Sequence, residues 1–118
     1  MATLTKIPLS ASTNGRGVLV TATAIGSGTT LHTAQAVTTD GLGDEVVLYA
    51  YNSSSSPITL TIGFGGSTDP NDLMKFSLPP VTTTPVMSGL LLRNSLVVSG
   101  ATTTGSVVSI FGYVLRAS

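Results

Sequence analysis

Few residues in this chain are of a type that does chemistry. His32 is the only histidine, so any Ser/His/Asp arrangement would have one possible base. The carboxylates nearest to it in sequence, Asp40 and Asp44, lie beyond a loop, and no G-x-S-x-G nucleophile elbow is present. No catalytic residue is expected on this basis. Asp69, Asn71 and Asp72 in STDPND could open a calcium loop, but the distal ligands that complete six to eight oxygens are missing. The same residues suit a type I turn opened by Asp69-Pro70 and closed by side-chain caps from Asn71 and Asp72. Gly63, Gly65 and Gly66 sit between two strand patterns rather than before a helix, so they fit a bulge or a positive φ better than a phosphate loop. There is no cysteine, hence no disulfide frame and no thiolate metal site, and neither metal nor cofactor is expected.

The aromatics are Tyr49, Tyr51, Phe64, Phe76, Phe111 and Tyr113, with no Trp. Tyr49 and Tyr51, and likewise Phe111 and Tyr113, are two apart and share a strand face. They are expected to pack in the core with their hydroxyls at its edge; a ligand platform is the alternative.

The stretch that must position these groups is Glu45–Pro80. Ile58, Leu60, Ile62 and Phe64 alternate with Thr59, Thr61 and Gly63, a period of two that marks a strand with one buried face. Val46–Asn52 and Leu73–Leu78 are further strands, and Ser53–Pro57 between the first two is turn chemistry of a β-hairpin. Strands are also expected at Val18–Ile25, Thr29–Val37, Val86–Leu92, Leu96–Ser99 and Ser106–Leu115, with Gly89 marking a bulge. Val81–Pro85 reads as a linker. About eight short antiparallel strands with turn signals every 8–12 residues, and no helix, predict an all-β single domain: a β-sandwich, jelly-roll-like, over 18–118. A partly open barrel is the alternative. Met1–Gly17 reads as an extended N-terminal arm whose Leu4, Ile7 and Leu9 would contact a neighbouring subunit or a larger assembly.

The chain has 118 residues, of which 42% are hydrophobic and only 8% charged, with a net charge of zero. Zero net charge argues against nucleic acid and against electrostatic attachment to a membrane. No apolar run approaches the ~20 residues of a membrane span. The opening MATLTKIPLSAS lacks the apolar core of a secretory signal, so a protein made in a cytoplasm and kept or assembled there is expected. A surface of Ser, Thr, Asn and Gly reads either as one that lies against other protein or as ordinary Thr-rich strand faces. Both faces of Ser106–Leu115 are apolar, which places that strand inside a sandwich or turns its second face to another subunit.

The segments Leu48–Asn52, Leu60–Gly66, Asp69–Leu73 and Gly112–Arg116, with Pro8–Gly17 and Thr29–Ala34, resemble a group of small β-rich virion proteins of tailed bacteriophages. In that group a run like LYAxNxS is followed by LTIxxGG, a DxxDL turn and a final xGYVxR. The resemblance implies a structural virion protein rather than an enzyme. It would be a capsid cement or decoration protein, a homo-oligomer and specifically a trimer, bound to the major capsid protein or another virion protein at capsomer junctions. A head–tail junction, tail or fibre component, or a carbohydrate-binding module, are the alternatives.

Overall fold

In the computed structural model, residues 3–118 are described, and they form an all-β sandwich of two antiparallel sheets. The nine strands among these residues are β1 (Leu4–Pro8), β2 (Val18–Val20), β3 (Thr29–Thr33), β4 (Gly43–Asn52), β5 (Ile58–Phe64), β6 (Leu73–Leu78), β7 (Thr82–Leu92), β8 (Val97–Thr102) and β9 (Val108–Ala117). One sheet runs β1-β9-β4-β7, with β2 sharing the β1 edge of β9; the other runs β3-β8-β5-β6. The pairs are nested along the chain: β5 with β6 at the centre, then β4 with β7, β3 with β8, and β1 and β2 with β9. That nesting is the winding of a double-sheet jelly roll.

Alternation drives each sheet's packing. In β4 the even positions Val46, Leu48 and Ala50 are fully buried, and in β9 Val108, Ile110 and Val114 are too. They meet Leu60, Ile62 and Val98 from the other sheet in one continuous core. Each such aliphatic contributes roughly 1.5–3 kcal/mol of burial. β5 and β6 span the residues that the alternation predicts. The predicted linker Val81–Pro85 is instead the start of β7: Pro85 is tolerated there because β7 is an edge strand bonded only to β4. The register between β4 and β7 skips Gly89, whose φ of 114° is open to glycine, so the expected bulge is present. At Gly112 a Cβ would collide with the Val47 carbonyl oxygen, which lets β9 lie tightly on β4.

The expected extended arm, ordered on a neighbour, is corrected for the described part of Met1–Gly17; Met1 and Ala2 lie outside the described residues. Leu4–Pro8 is β1, in register with β9 from Leu4↔Ala117 to Pro8↔Tyr113. The physical reason is that the other edge of β9 would otherwise leave its ladder unpaired, and β1 and β2 together complete it. Leu9 then turns into the core with 1% exposure, Ile7 is partly buried against that core, and Leu4 stays 71% exposed. Leu9 is therefore a core residue and not a partner contact. The Val18–Ile25 strand stops at Val20, and a single 3₁₀ turn at Ile25–Ser27 follows.

Leu9→Ala is expected to cost about 2–5 kcal/mol, the range for opening a cavity at a fully buried leucine. Leu4→Ala should stay within about 0.5 kcal/mol of the parent, as an exposed substitution. Urea unfolding of the two variants checks this; equal midpoints would mean the N-terminal segment is not docked.

Candidate functional site

The fold brings together residues that are distant in sequence. In β3 the register with β8 shifts between Thr30 and His32, a bulge that turns both Leu31 and His32 inward. In β4 Asp44 shares the inward face of Val46 and Leu48 and is fully buried. In β9 Arg116 lies in register with Asp44. The Asp44 carboxylate receives Arg116 in a fork, Nε to Oδ1 at 2.8 Å and Nη2 to Oδ2 at 2.8 Å. His32 Nε2 lies 2.7 Å from Oδ2, and the Gln35 backbone N–H donates to the same oxygen at 3.3 Å. On the far side of the imidazole the Ser10 backbone N–H donates to Nδ1 at 3.0 Å. Nδ1 thus acts as acceptor, which assigns the ring proton to Nε2 and makes Nε2–H the donor to Asp44.

Burial pushes the Asp44 carboxyl up. The hydrogen bonds from Arg116 and His32 and the Arg116 charge outweigh that, so its pKa sits below the ordinary carboxylate value of 3.8. The hydrogen bond to Asp44 in turn raises Arg116 above its usual value.

Ser10, His32 and Asp44 have the residue types of a hydrolytic triad but not its geometry. The serine faces the imidazole with its backbone N–H, while its Oγ accepts the Thr33 N–H at 2.7 Å. The imidazole is shut off from solvent, so no substrate atom reaches it. The cluster is a bridge between the two sheets and the N-terminal segment. Sequence reading singled out His32 and Asp44 but not Arg116, Gln35 or Ser10; the Arg–carboxylate register across β4 and β9 appears only once the strands are paired.

The other groups singled out in the sequence fall elsewhere. Asp72 closes its own loop: its N–H donates to the Thr68 carbonyl at 2.8 Å, and its Oδ2 accepts the Thr68 N–H at 3.1 Å. Residues 69–72 form a turn, with the Asp69–Pro70 peptide cis. Among the described residues no group of three or more His, Asp or Glu is placed to hold a metal. Gly65 does adopt a positive φ, of 86°.

The aromatics correct the core expectation. Val46, Leu48, Ala50, Val108, Ile110 and Val114 already fill the inward positions, so the odd positions of β4 and β9 face out. Tyr49 and Phe111 are cross-strand partners at 40% and 42% exposure, and Tyr113 lies on the same outer face with Lys6 Nζ 4.8 Å from its ring centroid. Gly17 lets the Phe111 ring lie against the backbone, since a Cβ there would meet the ring at 2.8 Å. The outer face of this sheet thus carries an aromatic patch along β4 and β9, with polar Thr83 and Ser88 on the β7 edge. That of the other sheet is threonine-lined, with a groove of about 140 Å³ among Thr23, Thr59, Thr61, Lys75 and Thr103. A shallow hollow of about 350 Å³ beside it is walled by Gly26, Ser27, Gly65, Gly66, Ser95 and Ser99.

Comparison with known proteins gives no match to a family model, to a curated protein or to a solved structure.

Asp44→Asn is expected to destabilise the fold at neutral pH by about 3–5 kcal/mol, as breaking a buried pair does. Because the folded carboxyl is held below 3.8, its contribution is full above that value and is lost as pH falls through the folded pKa. Thermal melts between pH 7 and pH 2 should therefore drop more steeply below about pH 4 in the parent than in the variant. Parallel curves would show that Asp44 is not the linked group.

Proposed function

We propose that this chain is a structural virion protein of a tailed phage, a cement or decoration protein that acts as a homo-oligomer. It would bind the major capsid protein at capsomer junctions after assembly in the host cytoplasm. The observation that carries the reading is a jelly roll, a fold used by viral capsid domains, with an uncovered apolar-aromatic sheet face in a chain only 8% charged. The link from fold to virion is an analogy at fold level, and the resemblance of the Leu48–Arg116 motifs to phage virion proteins supports it. In this reading the chain carries out no reaction and holds no cofactor. It works by area: an interface of standard size buries roughly 1,600 Å², and many copies on one shell add up. Zero net charge gives no grounds for a nucleic-acid or membrane partner.

A tail, neck or fibre role differs in copy number. Quantitative gels of purified virions should show the protein at a copy number of the same order as the major capsid protein; a dozen copies or fewer per particle would move it to the neck or tail, and its absence would end the virion reading. Lectin domains also use jelly rolls, and Tyr49 and Phe111 are exposed. Binding of the isolated protein on a glycan array, with none to capsids, would favour a carbohydrate-binding module.

A further inference from the structure

The outer face of the β1-β9-β4-β7 sheet carries a pattern that its own copy can complete. Two charged residues of these strands, Asp44 and Arg116, point inward and are paired with each other. The remaining two, Lys6 and Glu45, are exposed and flank the same residue, Leu115, one from β1 and one from β4. They are equidistant from β9, each one strand away, on opposite sides.

We propose that this face pairs with the same face of a second copy, about a two-fold axis running along β9. Rotation about that axis exchanges the β1 side with the β4 side at the same height along the strands. Lys6 of each copy then faces Glu45 of the other, giving two ion pairs from one patch. In the next row Tyr113 meets its own copy, with Pro8 set over the strand position of Val47, whose side chain is already buried in the single chain. Beyond it Phe111 meets its own copy, and in the last row Leu19 meets Tyr51. Along the axis Leu115, Tyr113 and Phe111 meet their own copies, Ser109 meets its own hydroxyl in the last row, and the two exposed strand charges meet their opposites.

The side chains permit this. Lys6 lies over Tyr113 and the Glu45 carboxylate over Gly89, both on the outer surface. Each can swing within its own length, inside the ~30° offset at which twisted sheets stack face to face. About this axis the β1/β2, β9 and β4 columns overlap and β7 lies outside, so ten-residue β4 and β9 with the shorter β1 and β2 present a plane of roughly 14 by 33 Å. That is below the ~800 Å² per partner of a standard interface, the size of a weak, concentration-dependent dimer. A patch that meets itself is isologous and closes at two copies, whereas a three-fold ring joins two different patches. The pairing therefore gives a dimer in place of the expected trimer. It deepens the assembly reading by naming the partner and the symmetry, and it is measured on the isolated protein, so it can fail while the virion reading stands.

The test is light scattering coupled to size exclusion on the full chain, with sedimentation to obtain the dissociation constant. The expected mass is twice the 11.9 kDa of one chain. Lys6→Glu alone and Glu45→Lys alone each put like charges together twice, and each should weaken the dimer at least tenfold. The double variant Lys6→Glu/Glu45→Lys should restore affinity to within a few-fold of the parent. Both positions are exposed, so thermal melting of the monomers should be unchanged. Phe111→Ser, also on the surface, should leave a folded monomer. A parent mass of one or three chains, or a dimer indifferent to the single charge reversals, overturns the proposal. So does a double variant no tighter than the singles.

Discussion

The sandwich depends on what happens at the two ends of β4. Asp44 and Asn52 are eight residues apart, so both share the inward face of Val46, Leu48 and Ala50, and both are fully buried. Asp44 holds Arg116 of its own sheet and His32 of the other. At the opposite end Asn52 Nδ2 donates to the Ser56, Leu78 and Pro79 carbonyls, reaching the end of β6, while its Oδ1 accepts the Ser54 N–H. A strand with apolar residues in its middle and a satisfied polar clamp at each end has one register against its partners. A slip by one residue would expose the aliphatics and bury Glu45 and Tyr51 without partners. No buried side-chain polar atom among the described residues lacks a hydrogen bond, so the clamps do not leave a hidden cost.

The Asp44 clamp also captures the N-terminal segment. Ser10 meets the imidazole through its N–H, Ala11 donates to the Leu31 carbonyl, and Leu9 fills the core beneath. β1 is thereby carried from the edge of one sheet to β3 of the other. This explains why three scattered aliphatics, Leu4, Ile7 and Leu9, read as an arm in sequence. Their spacing obeys neither strand nor helix period as a set: Leu4 faces solvent on β1, Ile7 faces inward, and Leu9 lies past the strand end. Only the free edge of β9 and the polar socket around His32 decide where they go, and neither is local information.

What the sequence made legible follows the same division. Strands with one polar face, β5 and β6, were readable to the residue because period-two alternation is a local signal. β9 has apolar residues on both faces, and alternation alone does not say which face is inside. The answer came from β4, whose inward aliphatics pair in register with Val108, Ile110 and Val114 and leave Phe111 and Tyr113 outside. The ion cluster was half legible: His32 and Asp44 stood out as rare types in a chain with few charges. The bulge that turns His32 inward and the 72-residue separation of Asp44 from Arg116 were not.

The two outer faces then divide the surface by chemistry. Threonines line the β3-β8-β5-β6 sheet, where hydroxyls satisfy water and β-branching suits the pleat. On the other sheet the exposed aromatics retain their contact area without a cover in the single chain. In a chain with ten charged residues in all, spending one oppositely charged pair, Asp44 and Arg116, inside the sandwich leaves little with which to solubilise an apolar face. An uncovered apolar face of this kind is the feature on which the proposed assembly rests. The same scarcity gives Lys6 and Glu45 their weight in the proposed pairing: among the described residues they are the two exposed charges on the strands of that sheet. With Leu4–Pro8 paired to β9 of the same chain, the proposed pairing would rest on a rigid sheet face rather than on an arm, and would carry no cost of ordering that segment.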